Sequence, residues 1–238
     1  MRKWIQKPPL GVQINWANSI AKGLVVAWLF NECSGSKVYD LSNNQNTGTI
    51  YNALWKPARF GSGLYFDGTG DYVQATLPSV FSASNPITAV IFVKDLGSSI
   101  RGLLNVQGTA VNADQILCVY FDPANNRLST SHAKTDLYSR FSGTITTSNW
   151  NHFVITHAGG NVRPTIYVNG VLNQATTGTS LSIFGTNVIQ VGKGVSAIYD
   201  GLSQVDHVYL YNRVLSASEI AQLYRETFCM FNKRNVWD

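Results

Sequence analysis

From Gly23 onward the chain alternates short apolar runs with clusters of Gly, Asn, Asp and Ser, the runs falling at 24–30, 37–40, 47–51, 63–66, 72–75, 88–94, 102–106, 115–121, 127–131, 138–144, 150–157, 165–168, 188–191 and 204–211. Short runs bounded by turn formers, at intervals of roughly 8–12 residues, predict the antiparallel strands of a sandwich or barrel. Period-two alternation is clearest in the last run, where it places Val205, His207, Tyr209 and Tyr211 on one face and Asp206, Val208 and Leu210 on the other. Asn169-Gly170, set between Tyr167-Val168 and Val171-Leu172, predicts a hairpin closed by a two-residue type I′ turn. After Arg213, Ser216 and Glu219 have the spacing of a capping box ahead of Ile220, Leu223 and Tyr224, so one short helix is expected there. Residues 1–22, interrupted by Pro8-Pro9 and Gly11, read as an extended arm, 23–225 as one all-β domain and 226–238 as a tail.

Composition agrees with this reading. The 238 residues are 45% apolar and 13% charged, with three glutamates (Glu32, Glu219 and Glu226), which argues against disorder and against a coiled coil. The net charge of +5 and pI near 9.1 invite a nucleic-acid role, but Lys and Arg fall singly, with no basic stripe or basic helix, and no nucleic-acid partner is expected. There is no apolar run of about 18 residues, so no membrane insertion is expected. Met1 to Pro9 carries basic residues without an apolar stretch behind them, which reads as a chain made in the cytoplasm without a Sec signal peptide. Cys33, Cys118 and Cys229 are an odd number without metal-type spacing and are expected as buried free thiols.

Two stretches carry a family resemblance. Gly23 to Glu32, then Gly35, Asp40, Ser42, Asn44, Asn46, Gly48 and Thr49, then Arg59-Phe60-Gly61, Phe66-Asp67-Gly68 and Asp71-Tyr72-Val73, form the first. Trp150 to Val154, Ile166 to Gly170, Val191-Gly192 and Gly201 through Ser216 to Tyr224 form the second. Together they resemble the laminin-G-like, concanavalin A-like jelly-roll family over residues 23–225. The resemblance implies two curved antiparallel sheets packed face to face, and members that include glycan-binding modules and virion proteins. It also implies a structural Ca²⁺ held by Asp40, Asn44, Asn46 and Asp206, although Asn43 and Gln45 stand where the family commonly has glycine. Asx-turns formed by the same side chains are the competing account.

The residues themselves argue against catalysis. Glycoside hydrolysis needs two carboxylates on opposite sides of the scissile bond, and none of the three glutamates has a carboxylate partner in sequence; Asp200 and Asp206 are the remaining pair to consider. No Gly-x-Ser-x-Gly elbow, phosphate loop or zinc-type histidine spacing occurs around His132, His152, His157 or His207. A sugar site would need aromatic platforms beside polar groups, and Trp55, Tyr120, Tyr138 and Tyr199 with Asn125, Asn126 and Asp136 are the candidates.

The apolar arm and tail, with Trp4, Ile5, Trp16, Phe228, Phe231 and Trp237, suggest burial against neighbouring subunits. The expected function is therefore a non-enzymatic structural and binding protein on a phage virion, in a capsid decoration or tail. It would sit at a virion or extracellular surface, assemble through its terminal arms with itself or with neighbouring virion subunits, and adhere to cell-surface polysaccharide. A lectin-like carbohydrate-binding module is the alternative, and a glycoside hydrolase ranks third.

Overall fold

The computed structural model describes residues 6–77, 85–95, 97, 101–108, 115–122, 127–131, 138–140, 145–146, 148–159, 162, 164–173, 186–193 and 201–232. Sixteen strands lie among them: β1 (Leu24–Trp28), β2 (Lys37–Val38), β3 (Gly48–Tyr51), β4 (Leu54–Ala58), β5 (Gly61–Asp67), β6 (Tyr72–Thr76), β7 (Ile87–Asp95), β8 (Arg101–Gly108), β9 (Gln115–Asp122), β10 (Arg127–Ser131), β11 (Tyr138–Arg140), β12 (Trp150–His157), β13 (Thr165–Val168), β14 (Val171–Asn173), β15 (Thr186–Val191) and β16 (Leu202–Tyr211). One sheet runs β14-β13-β12-β7-β16-β5-β4, with β1 on the far half of β16; the other runs β11-β10-β9-β8-β15-β6-β3-β2. The fold is a concanavalin A-like jelly-roll sandwich with one short helix, α1 (Ala217–Arg225).

The sheets bury their facing sides against each other. Leu64, Phe66, Ile91, Val93, Phe153, Ile155, Val205, Val208 and Leu210 from the first sheet meet Val73, Leu104, Val106, Val119, Phe121, Ile189 and Val191 from the second. Strand β16 departs from simple alternation. Its register against β7 slips between Val205 and His207, so Asp206 is an extra residue opposite a single partner position. This bulge puts Val205, Val208 and Leu210 in the inner core and turns His207, Tyr209 and Tyr211 outward, correcting the faces expected from uninterrupted alternation.

The outer face of the first sheet is covered by the chain's own ends. Val12, Ile14, Ile20 and Ala21 from the arm and Phe228, Met230 and Phe231 from the C-terminal segment join Ala27, Leu29, Val90, Val154, Tyr209 and Tyr211 in a second apolar cluster. The two ends pair with each other: Ile14 bridges Phe231, Asn15 N donates to Met230 O at 2.8 Å, and Asn232 N donates to Gln13 O at 2.9 Å. Helix α1 has the expected capping box, Ser216 with Glu219. The Asn169-Gly170 hairpin joins β13 to β14 with positive φ of 52° and 79°, as a type I′ turn requires. Of the cysteines, Cys33 is exposed and Cys229 half-buried, both free, so Cys33 is not the buried thiol expected.

Candidate functional site

A cleft of about 570 Å³ opens where strand ends of the first sheet meet the chain's C-terminal part, lined by Arg59, Phe60, Phe92, Ser148, Asn149, Trp150, Tyr224, Arg225 and Thr227. Its size is that of a small-ligand site. Register builds its floor. Phe92 on β7 lies opposite His152 on β12 and His207 on β16, so three rings form a row across three strands. Phe92 is near-parallel to His207, with centroids 5.3 Å apart at 10°, and to Trp150, at 5.8 Å and 6°. The half-buried Trp150 is thus held by a ring that is itself buried.

Short-range hydrogen bonds hold the rim. Asn151 Nδ2 donates to Thr146 O at 3.1 Å and Asn149 O at 3.0 Å, pinning the turn that presents Ser148 and Asn149. Asn169 Nδ2 donates to Asn151 Oδ1 at 3.2 Å, and Asn169 Oδ1 accepts from His152 N at 2.9 Å, tying that turn to the β13–β14 hairpin. Gly170 lets Tyr224 lie close, since a Cβ there would come within 3.0 Å of the tyrosine ring.

A buried polar group supports the floor. The Asp206 carboxylate, fully buried, accepts from His207 Nδ1 at 2.8 Å and Phe60 N at 2.9 Å and pairs with Lys7 Nζ at 3.3 Å. Lys7 Nζ also donates to Asp206 O at 2.6 Å, to Ser62 O and to Phe30 O. Burial pushes the Asp206 carboxyl up, but the His207 hydrogen bond and the Lys7 charge outweigh it and hold the group ionised below its usual range. Burial lowers His207 despite Asp206, and it lowers His152 to about 3 with His207 adding to the shift. Both rings are therefore neutral at pH 7. Both His152 nitrogens and His207 Nε2 are buried without a hydrogen-bond partner.

The expected calcium ligands form two separately satisfied groups. Asp40 Oδ1 accepts from Ala27 N at 2.8 Å and Ser42 N at 2.9 Å, and Oδ2 accepts from Ser42 Oγ at 2.6 Å and Asn46 N at 2.9 Å. Four donors saturate the roughly four lone-pair directions of a carboxylate. Asn44 and Asn46 use their Nδ2 groups on Val25 O at 3.4 Å and 2.8 Å, while Asp206 is engaged by Lys7, His207 and Phe60. The carboxylate oxygens of Asp40 and Asp206 are thus engaged by protein donors. Among the described residues no cluster of three or more His, Cys, Asp or Glu could hold a metal.

Three of the expected sugar-site residues stand on described strands, in different sheets. Trp55 on β4 belongs to the first sheet and packs against the inner core, with Nε1 donating to Gly35 O at 2.9 Å; Tyr120 is on β9 of the second sheet. Tyr138 stands on β11, while Asn125, Asn126, Asp136 and Tyr199 lie outside the described residues. Of the expected assembly residues, Phe228 and Phe231 are 1% and 3% exposed within their own chain and Trp16 is 41% exposed; Trp4, Ile5 and Trp237 lie outside the described residues. The cleft residues Arg59, Trp150, Tyr224 and Arg225 were missed as a group. Arg59-Phe60 and Trp150-Asn151 stand out in the sequence as family motifs, but nothing in their spacing shows that they meet.

A family model described as the concanavalin A-like lectin/glucanase superfamily, Laminin_G_3, matches residues 67–221. The chain belongs to that superfamily. Within the cleft, Phe92, Ser148, Asn149 and Trp150 fall inside the matched span, while Arg59, Phe60, Tyr224, Arg225 and Thr227 fall outside it. Trypanosoma rangeli sialidase in complex with sialic acid is similar at 23% identity and a TM-score of 0.63, over 89% of this chain and 34% of that one. The binding domain of Paraclostridial Mosquitocidal Protein 1 is similar at 16% identity and a TM-score of 0.65, over 89% of this chain and 54% of that one. A mutant of HCR D/C VPI 5995 is similar at 14% identity and a TM-score of 0.67, over 87% of this chain and 53% of that one. The superfamily member described here thus spans about a third of the sialidase and about half of the other two. At these identities the likeness concerns the fold. No curated protein matches the sequence.

These findings overturn the virion reading. The similar structures named above are a sialidase, a binding domain and an HCR D/C mutant, none of them a virion protein by its title, and the described parts of the two ends, expected to reach neighbouring subunits, close over the chain's own sheet.

Proposed function

We propose that this protein is a non-catalytic carbohydrate-binding module and that the Trp150 cleft is its sugar site. The observation that carries the reading is the half-buried indole of Trp150, fixed against Phe92 at the mouth of a cleft that also presents Ser148, Asn149 and Thr227. A rigid aromatic face takes the apolar side of a pyranose, and the neutral polar groups around it can pair with hydroxyls. Among the described residues that line the cleft there is no Asp or Glu, so these residues do not offer the carboxylate pair of glycoside hydrolysis. Superfamily membership and the similarity to binding domains support the same reading.

The test is a glycan array followed by titration with the best ligands, using the native protein and Trp150→Ala. Saturable binding that weakens at least about tenfold in Trp150→Ala, with an unchanged melting profile, is expected, since stacked rings supply much of the contact energy in such sites. An array without a hit, or a Trp150→Ala variant that binds like the native protein, overturns the assignment.

A further inference from the structure

Two arginines line the cleft from parts of the chain far apart in sequence. Arg59 sits in the turn between β4 and β5, and Arg225 is the last residue of α1; both are exposed and both line the cleft. Neither forms an ion pair with a described residue, in contrast to Arg213, which is neutralised by Glu219 at 2.7 Å. Glu226 follows Arg225 in the chain but is not among the lining residues. The floor adds no charge of its own, because His152 and His207 are neutral and Lys7 is paired with Asp206. Among the described residues the cleft therefore combines an aromatic platform with two cations that have no ion-pair partner and an uncharged polar rim.

We propose that the cleft selects an anionic saccharide, carrying a carboxylate or a sulfate, with Arg59 and Arg225 as the groups that receive its charge. This inference rests on the carbohydrate-binding reading of the same site. A guanidinium presents paired N–H donors that match the oxygens of a carboxylate or sulfate, and such charge-assisted hydrogen bonds are about twice as strong as neutral ones. Two arginines on separate elements fix the anion relative to Trp150, so a sugar must carry its charge at a set distance from its stacked face. Neutral sugars keep only the stacking and the hydroxyl contacts.

The experiment titrates the full-length protein with an oligogalacturonate, a heparin-derived oligosaccharide and a neutral malto-oligosaccharide. The variants are Arg59→Gln, Arg225→Gln, the double variant, and Lys37→Gln as a control that removes one positive charge from an exposed position on the second sheet. The expected result is preference for at least one anionic ligand and a loss of about tenfold in each arginine variant. Affinity should also fall as salt rises from about 50 mM to about 500 mM, and Lys37→Gln should bind as the native protein does. Binding of the oligogalacturonate, whose only anionic groups are carboxylates, shows that a carboxylate suffices; binding of the heparin oligosaccharide alone, which carries both groups, shows that its carboxylates need sulfate beside them.

A double variant that binds anionic ligands unchanged overturns the inference, as does a Lys37→Gln loss equal to that of the arginine variants, which would assign the effect to net charge. Binding of neutral and anionic sugars with equal affinity, both lost in Trp150→Ala, overturns the anion preference and leaves the carbohydrate-binding reading standing. Absence of binding to any saccharide overturns both.

Discussion

An imidazole ring with both nitrogens buried and unpartnered costs stability, and His152 is held in that state between Phe92 and Tyr224, with ring centroids at 6.2 Å and 5.8 Å. Its position opposite Phe92 is dictated by register, since the backbone of β12 is paired on both sides and the side chain must point at the cleft floor. Desolvation, with help from His207, lowers its pKa from 6.5 to about 3. The unfolded chain therefore takes up a proton below about pH 6.5 that the folded chain refuses until about pH 3. The stability tied to neutral His152 is complete above pH 6.5 and drains away as the pH falls, at about 1.4 kcal/mol per pH unit for each such proton. His157 and His207 are shifted the same way by burial and steepen the dependence, whereas Asp206, whose carboxyl is held low, contributes only at more acid pH. Urea unfolding from about pH 7.5 to about pH 4.5 should show a slope that His152→Leu flattens by one proton's worth, with the variant the more stable form at the acid end. Equal slopes in the two proteins would mean that folded His152 carries its proton over this range.

Arg213 shows how one side chain locks several elements. Its Nη2 and Nη1 fork onto Glu219 Oε1 and Oε2 at 2.7 Å and 2.9 Å, its Nε donates to Lys22 O at 2.6 Å, and Nη2 donates to Ser19 O at 3.0 Å. The end of β16, the cap of α1 and the short 3₁₀ turn Ser19–Ala21 are thereby joined. Arg213→Ala should cost about 2 kcal/mol in chemical unfolding, and Arg213→Lys should restore less than half of it, because an ammonium cannot reproduce the fork. Full restoration by lysine would reduce the interaction to simple charge. The helix and its capping box were legible in the sequence because they depend on residues three apart, and so was the Asn169-Gly170 hairpin. Strand β4 was not. Pro57 lies inside it, and only its place at the sheet edge, paired with Ser62 on one side, makes the missing N–H tolerable. The bulge at Asp206 was hidden for a related reason, since a register slip belongs to a pair of strands and leaves no mark on either alone. The cleft was illegible as a site on the same grounds: Arg59, Phe92, Trp150 and Tyr224 become neighbours only once β4, β7, β12 and α1 are placed.

The described residues form two apolar layers, the seam between the sheets and the cluster on the outer face of the first sheet. The second is closed by Val12, Ile14, Ile20, Ala21, Phe228, Met230 and Phe231, none more than 4% exposed. At about 1.5–3 kcal/mol for each large apolar side chain, their burial is comparable with the roughly 5–15 kcal/mol by which a domain is stable at all. A fragment cut to residues 23–225 would lose all seven and uncover Tyr209 and Tyr211, which are fully buried in the intact chain. It would also lose Lys7 beneath the cleft and Thr227 from its wall. Such a fragment is expected to aggregate or to bind a hydrophobic dye, without the cooperative melting of the full chain, as light scattering and calorimetry would register. A monomeric fragment melting at the temperature of the intact protein would show that the ends are ornaments on a self-sufficient sandwich. The same comparison bears on the proposed sugar site, because Lys7 joins His207 in holding Asp206 ionised and Asp206 accepts from Phe60 N in the wall. Removing residues 1–22 alone should therefore weaken glycan binding even where the fragment stays soluble. Undiminished affinity would detach the cleft from the buried Lys7–Asp206 pair.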